Sequence, residues 1–181
     1  AQAEFVKFLR SLPIQASHEE AHLRGLLLAT YSEFYDAYLI RLAQAVAVQT
    51  DKPLGQHVFH ELADEETGFY RDQQLEGFLH AVDEVQFLDK FGDVIEEAAR
   101  NVFQQLPIAS DELAKLRSLA YAVVRARAPS PVSSGLVFAG YAGDDFFPSL
   151  QSIEIDGSYF GETKCWLSED RQIDRLANSA F

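Results

Sequence analysis

The chain has 181 residues, of which 48% are hydrophobic and 24% are charged, and its net charge is −13 at pH 7. This composition is typical of one globular domain, alone or with an appended lobe, and excludes a disordered chain. Its negative field repels nucleic acid and anionic membranes, so neither is expected as a partner. No apolar run is long enough to span a bilayer. The single cysteine, Cys165, allows no intrachain disulfide, which fits a reducing cytoplasm.

The chain begins at Ala1 and contains no methionine, so we expect a processed product or a segment of a longer protein. Up to Ala128 it is predicted to be helical, because apolar residues recur at spacings of three and four. A short helix ends at Pro13. A long helix follows from Ser17, where Glu20 completes a capping box. Its apolar stripe consists of Leu23, Leu27, Tyr31, Phe34, Tyr35, Tyr38 and Leu42.

Further helices are predicted between the breaks that proline and glycine introduce. One begins near Gln56 and breaks at Gly68, after which a helical pattern continues through residues 69–88. The next spans residues 89–105 and stops before Pro107. The last begins at Ser110 as its cap. Its inward face consists of Leu113, Leu116, Leu119, Ala120, Val123 and Val124.

The segment Pro129-Ser130-Pro131 separates the helical region from a region of strands. Residues 136–141 are continuously apolar, which predicts a central strand covered on both faces. Residues 149–155 and 158–166 are predicted to form a hairpin that turns at Asp156-Gly157, a strong tight-turn pair. We expect six of the strand residues to be largely buried: Leu136, Phe138, Ile153, Ile155, Tyr159 and Trp166.

The predicted fold class is therefore α+β. Residues 1–128 form a helical lobe, and residues 129–181 form antiparallel strands that complete a sheet. A sheet of three strands has at least one edge with unpaired backbone groups. We therefore expect this edge to pair with missing segments of the same protein or with a second chain, so that the isolated chain self-associates.

One short motif points to metal chemistry. His18-Glu19-Glu20-Ala21-His22 matches the H-E-x-x-H zinc signature, in which two imidazoles share a helix face and the glutamate activates a metal-bound water. The motif stands in the first turn of a predicted helix, where Glu19 and Glu20 also suit the helix dipole. No third ligand follows at a familiar spacing. A zinc-dependent hydrolase is thus an alternative, and no metal site is assigned.

The other candidates favour structural interpretations. His57 and His60 stand near Glu61, but the spacing does not match the Glu-x-x-His elements of carboxylate metal sites in helical bundles. All five histidines occur by His80, far in sequence from Cys165, so a buried structural cysteine is expected. No phosphate-binding loop and no G-x-S-x-G elbow is present. We assign no catalytic residue and no cofactor.

Three segments of the strand region have a distinctive sequence: Gly135-Leu136-Val137-Phe138-Ala139-Gly140-Tyr141, Phe147-Pro148-Ser149-Leu150 and Ile155-Asp156-Gly157-Ser158-Tyr159-Phe160. They resemble the late hairpin of proteasome-fold proteins. More closely, residues 106–160 resemble a group of bacterial proteasome-type proteins in which a helical insertion precedes this hairpin. The similarity covers about the last third of the chain, and the earlier helices fit the insertion only by size and order.

The resemblance implies an N-terminal-nucleophile hydrolase fold, an αββα sandwich of two stacked sheets between helical layers. Its nucleophile would be a threonine, serine or cysteine at the mature N-terminus, with its own α-amine as base. No residue of this chain matches that machinery, so the segment would supply scaffold to a peptidase or amidohydrolase. A third interpretation is a non-catalytic module that docks partners through Tyr31, Phe34, Tyr35 and Tyr38.

Overall fold

The structure is a computed structural model that describes residues 4, 7–8, 16–48, 54–131, 133–140 and 149–172. Within this part of the chain, four helices precede a three-stranded antiparallel sheet, which confirms the α+β class. The helices are α1 (Ala16–Val48), α2 (Leu54–Asp72), α3 (Glu84–Val102) and α4 (Ser110–Arg125). The strands are β1 (Ser134–Gly140), β2 (Ser149–Tyr159) and β3 (Glu162–Gln172). No described helix is both long and apolar enough to cross a membrane.

Two predicted helix features differ from the structure. The predicted break at Gly68 is wrong, because α2 continues through it to Asp72. A single glycine costs a helix only about 1 kcal/mol, and the buried side chains of Val58, Phe59 and Leu62 stabilise α2 more than that. The predicted short helix before Pro13 lies largely outside the described residues.

The second difference concerns residues 73–83, which were predicted to continue a helix and instead form turns. Gly77 and Leu79 adopt left-handed backbone conformations, with φ of 73° and 49°, which a right-handed helix cannot contain. Helix α3 then begins earlier than predicted because Asp83 caps it. The Asp83 carboxylate accepts a hydrogen bond from the Gln86 backbone N–H at 2.8 Å, completing a capping box.

The helices pack around a core rich in aromatic rings. Phe59 contacts the ring of Phe34 at 5.0 Å between centroids, and both contact Phe103. The fully buried Tyr31 donates a hydrogen bond from its hydroxyl to the Leu116 carbonyl at 2.8 Å, so its polar atom is satisfied within the core. Trp166 and Tyr159 from the sheet join the same core. The helical lobe and one face of the sheet therefore share a single hydrophobic interior.

The sheet has the order β1-β2-β3, with both pairs antiparallel. The hairpin turn lies at Phe160-Gly161, where φ is 54° and 76°, and not at Asp156-Gly157 as predicted. Two consecutive positive φ values match the tight turn that suits twisted strands. Asp156 and Gly157 instead form a bulge within β2, where they stand opposite the single residue Lys164 of β3.

β1 was predicted to be a covered central strand, but it is an edge of the described sheet. Leu136, Val137 and Phe138 are 38%, 63% and 45% exposed, so the expected burial of Leu136 and Phe138 is wrong. Ile153, Tyr159 and Trp166 are buried as predicted, and Ile155 is partly buried. The physical reason is that the described residues provide no layer that covers β1. Residues on both faces of this apolar strand are thus partly exposed.

Candidate functional site: a buried polar network

The bulge in β2 creates a buried ion pair. Opposite the bulge, Nζ of Lys164 lies 2.8 Å from Oδ2 of Asp156, and both side chains are fully buried. The ammonium group also donates to the Ala128 carbonyl at 3.1 Å, at the end of the helical lobe. The protonated amine has three N–H donors, which serve both of these oxygen acceptors. The pair therefore places two charges inside the protein, where each requires the other.

His22, in the first turns of α1, completes the network from the helical side. Its Nδ1 lies 2.8 Å from the Tyr159 hydroxyl, and its Nε2 lies 3.5 Å from Oδ1 of Asp156. The Tyr159 hydroxyl can donate to Nδ1 if Nε2 carries the imidazole proton. Nε2 is close to the carboxylate but forms no hydrogen bond with it in the described part of the chain. His22 thereby links α1 to two residues of β2, from which it is separated by more than a hundred positions in sequence.

Burial alone would raise the pKa of Asp156, but the contacts with His22 and Lys164 and a hydrogen bond from Ser130 outweigh it. The pKa of Asp156 is therefore well below its usual range. Burial lowers the pKa of Lys164 more than the attraction of Asp156 raises it. Burial and the charges of Asp156 and Glu19 raise the pKa of Tyr159 well above its usual range. At neutral pH the network holds a carboxylate and an un-ionised phenol.

Glu19 extends the polar contacts to the hairpin turn. It is buried, and its two carboxylate oxygens accept hydrogen bonds from Lys90 of α3 and from the backbone N–H of Gly161 at 3.0 Å. The Lys90 ammonium also lies 4.5 Å from the centroid of the Phe160 ring, within the range of a cation–π contact. Glu19 and His22 therefore connect the first turns of α1 to the turn and to the bulge of the β2–β3 hairpin.

The arrangement binds the hairpin to the helices and is poorly suited to catalysis. Asp156, Tyr159 and Lys164 are fully buried, and the His22 side chain is only 16% exposed. A general acid or base must reach a substrate atom within hydrogen-bonding distance. None of the three buried groups can do so in this conformation. What the network does supply is a fixed position and register for β2 and β3 relative to α1.

The zinc motif is used differently in the structure. His18 is exposed, whereas Glu19 and His22 are engaged in the contacts described above. His57 is exposed, and His60 lies 3.3 Å from Asp111. Across the described ranges, no group of three or more His, Cys, Asp or Glu side chains could hold a metal ion. Two of the three motif residues therefore act as structural groups.

The remaining candidates also lie in the interior. Of the aromatic residues proposed as a docking face on α1, Tyr31, Phe34 and Tyr38 are buried, and Tyr35 packs against the core. Three of the four rings are therefore enclosed in the core, and Tyr35 is partly exposed. Cys165 is buried, as expected for a structural cysteine. The network was not predicted because Asp156 was assigned to the hairpin turn. The signal that could have revealed it was an acidic residue and a lysine, Asp156 and Lys164, within one predicted hairpin.

Comparison with known proteins gives no identification: no family model, no curated protein and no solved structure that was searched matches the chain.

Proposed function

We propose that this chain is the scaffold part of a proteasome-like, N-terminal-nucleophile-type protein of the cytoplasm, a class that includes peptidases and amidohydrolases. In this proposal its sheet is extended beside β1 by further strands, from the same polypeptide or from another chain, and the nucleophile is supplied outside residues 16–172. The observation that supports this proposal most strongly is the exposed apolar edge strand β1. In this strand Leu136, Val137 and Phe138 are 38%, 63% and 45% exposed.

Three other features support this proposal. The antiparallel order β1-β2-β3 agrees with a late hairpin of the proteasome-like sandwich. Natural proteins cover or charge their edge strands, yet β1 has the sequence Ser-Gly-Leu-Val-Phe-Ala-Gly, with no charged residue. The buried network fixes β2 and β3 on the helices, which leaves a rigid sheet for added strands. These features suit a structural support for added strands and not a catalytic centre.

Hydrogen exchange of the β1 backbone amides tests this proposal. The natural protein, purified from its host with all its segments and subunits, is compared with the isolated 181-residue chain by mass spectrometry. Added strands would protect the amides of residues 134–140 strongly in the natural protein, because ladder hydrogen bonds slow exchange. Equally fast exchange in both samples would contradict the proposed sheet extension.

The catalytic part of the proposal needs a separate experiment. A β-lactone probe that acylates N-terminal nucleophiles is incubated with the natural protein, and the modified residue is identified by mass spectrometry. We expect the label on an N-terminal threonine, serine or cysteine. A label on Ser130 or Cys165 would contradict the scaffold role, because it would place the nucleophile within this segment.

A further inference from the structure

A groove of two adjoining cavities runs between α1, α2 and α4. The cavities have volumes of about 270 and 70 Å³ and share Thr30, Glu33 and Tyr70 in their walls. The larger one extends under the linker that follows α4, where Ser130 and Pro131 line it. At the linker the larger cavity adjoins the buried network, because Ala128 and Ser130 line it and also contact Lys164 and Asp156. Neither the zinc motif nor the strand region accounts for the rest of the groove.

The larger cavity is lined by both apolar and polar residues. Its walls include Leu26 and Ala29 of α1, Val123 of α4 and Pro129 of the linker. An apolar cleft with a few convergent polar groups is the usual form of a small-ligand site. A volume of about 270 Å³ is near the lower end of such sites. The cavity is therefore of a size to take a short aliphatic chain.

The polar groups of the groove carry negative charge. Glu33 lines both cavities, and Glu66 lines the smaller one. Among the described residues neither carboxylate lies within ion-pair distance of a cation. Arg41 pairs with Glu65 at 2.6 Å and interacts with Glu66 only at longer range. Burial, followed by the charges of Glu66 and Glu33, raises the pKa of Tyr70. Both carboxylates thus act electrostatically on Tyr70, which lines both cavities.

We propose that this groove binds an organic cation, an alkylammonium or alkylguanidinium group with an apolar stem. The cationic head lies between Glu33 and Glu66 beside the Tyr70 ring, and the stem lies along the apolar wall of the larger cavity. A metal ion fits less well, because Ca²⁺ sites use more oxygen ligands than two carboxylates provide and Mg²⁺ gives up its water shell reluctantly. An aromatic ring and carboxylates together favour an organic cation. The net charge of −13 attracts cations to the chain.

Isothermal titration calorimetry with n-butylammonium at low ionic strength tests the proposal, with n-butanol as the neutral probe of equal stem length. We expect saturable binding of the ammonium that weakens with added salt, and no comparable binding of the alcohol. The double variant Glu33→Gln/Glu66→Gln should weaken binding about tenfold or more, as expected for the loss of charge-assisted contacts. Equal binding of the alcohol, or no saturable heat from the ammonium, would overturn the proposal.

A matched control is available on the same two helices. The variant Glu20→Gln/Glu61→Gln removes the same charge from exposed positions on α1 and α2 outside the groove. It should keep the affinity within about twofold, since distant exposed charges are screened. An equal loss in both double variants would show that cations only accumulate on a diffuse acidic surface, and would overturn a built site. Circular dichroism confirms that each variant is folded.

Two further comparisons define the ligand. Tyr70→Leu should weaken binding of n-butylammonium severalfold because it removes the aromatic ring, while Tyr70→Phe should retain most of the affinity. The peptide acetyl-Ala-Lys-Ala-amide presents the same cationic chain as n-butylammonium. Tighter binding of the peptide would identify a lysine side chain of a protein as the source, and tighter binding of the free amine would identify a small metabolite. Undiminished binding to Tyr70→Leu would overturn the placement of the head group.

Discussion

The imidazole of His22 packs against the backbone of Gly157. A Cβ atom at residue 157 would lie 2.5 Å from Cε1 and Nδ1 of His22, closer than real Cβ atoms approach. The φ of Gly157 is also positive, at 75°, a conformation that glycine adopts without steric cost. Helix α1 and the bulge of β2 therefore approach each other at a distance that only glycine permits.

Substitution of this glycine should be strongly destabilising. Gly157→Ala adds the strain of a left-handed alanine, about 1–2 kcal/mol, to the overpacking against His22, about 1–3 kcal/mol. Gly161→Ala is the matched control, because its φ is 76° and nothing lies within 4 Å of its added Cβ. Urea unfolding should show the larger loss for Gly157→Ala. Equal losses would mean that the His22 contact is not tight.

The buried ion pair should show strong coupling in a double-mutant cycle. Asp156→Asn leaves Lys164 without its charged partner, and Lys164→Met leaves Asp156 without its own. Each single change should cost about 3–5 kcal/mol of unfolding free energy, the usual effect of stranding a buried charge. The double variant should cost much less than the sum, measured by chemical denaturation. Additive losses would show that the two side chains do not depend on each other.

Acid should remove the stabilisation that Asp156 provides. Its folded-state pKa is depressed below that of the unfolded chain, so the unfolded state binds the proton first as pH falls. The contribution is complete above the unfolded value, about 3.9, and is lost progressively below it. The free energy of unfolding should therefore fall from about pH 5 to pH 2. Asp156→Asn should show a shallower slope, whereas Asp93→Asn, which removes an exposed carboxyl on α3, should retain the wild-type slope.

Two substitutions in the first turn of α1 distinguish a structural role for this segment from a zinc site. Glu19→Ala should lose about 1–3 kcal/mol of stability, because the N–H of Gly161 and the ammonium of Lys90 lose their acceptor. His18→Ala, at an exposed position, should change stability by less than about 0.5 kcal/mol. Denaturation and metal analysis of the same samples provide the measurement. Stoichiometric zinc that disappears in His18→Ala would contradict the structural interpretation.

The edge strand should govern self-association of the isolated chain. At tens of micromolar, a range in which exposed edges and apolar surface cause association, we expect oligomers by light scattering. Val137→Lys places a charge on β1 and should shift the chain toward monomer. Val85→Lys is the control, since Val85 is 67% exposed on α3 and lies outside the sheet. A wild-type chain that is a monodisperse monomer would contradict the expectation.

The helices were predictable because their burial follows the helical period. Leu23, Leu27 and Tyr31 of the predicted stripe are fully buried, and α4 buries nearly all of its predicted face. The segment after α2 misled the prediction, because its apolar residues keep helical spacing while Gly77 and Leu79 turn the backbone. Periodicity reports which residues need burial, but not the path that the backbone takes to bury them.

The site was hidden for two reasons. Asp-Gly is a stronger turn signal than Phe-Gly, yet Phe160 occupies the turn because its ring packs on Phe91 at 5.5 Å between centroids. With the turn displaced, Asp156 moves into a bulge opposite Lys164. In addition, His22 lies at the other end of the chain, so its contacts arise only from tertiary packing. The continuous apolar pattern of β1 likewise indicated a need for cover without identifying what covers it.

The hydrogen bonds near the end of α4 indicate how the protein would respond to cleavage of the linker between α4 and β1. The Leu75 backbone N–H donates to the Arg125 carbonyl at 2.8 Å, and the Arg127 backbone N–H donates to the Gln73 carbonyl at 2.6 Å. The Arg127 guanidinium also donates to the Leu167 carbonyl of β3. Since the strands also share the helical core, residues 16–128 and 133–172 hold each other without the peptide bonds of the linker. A nick in that linker would leave two complementary fragments in one particle.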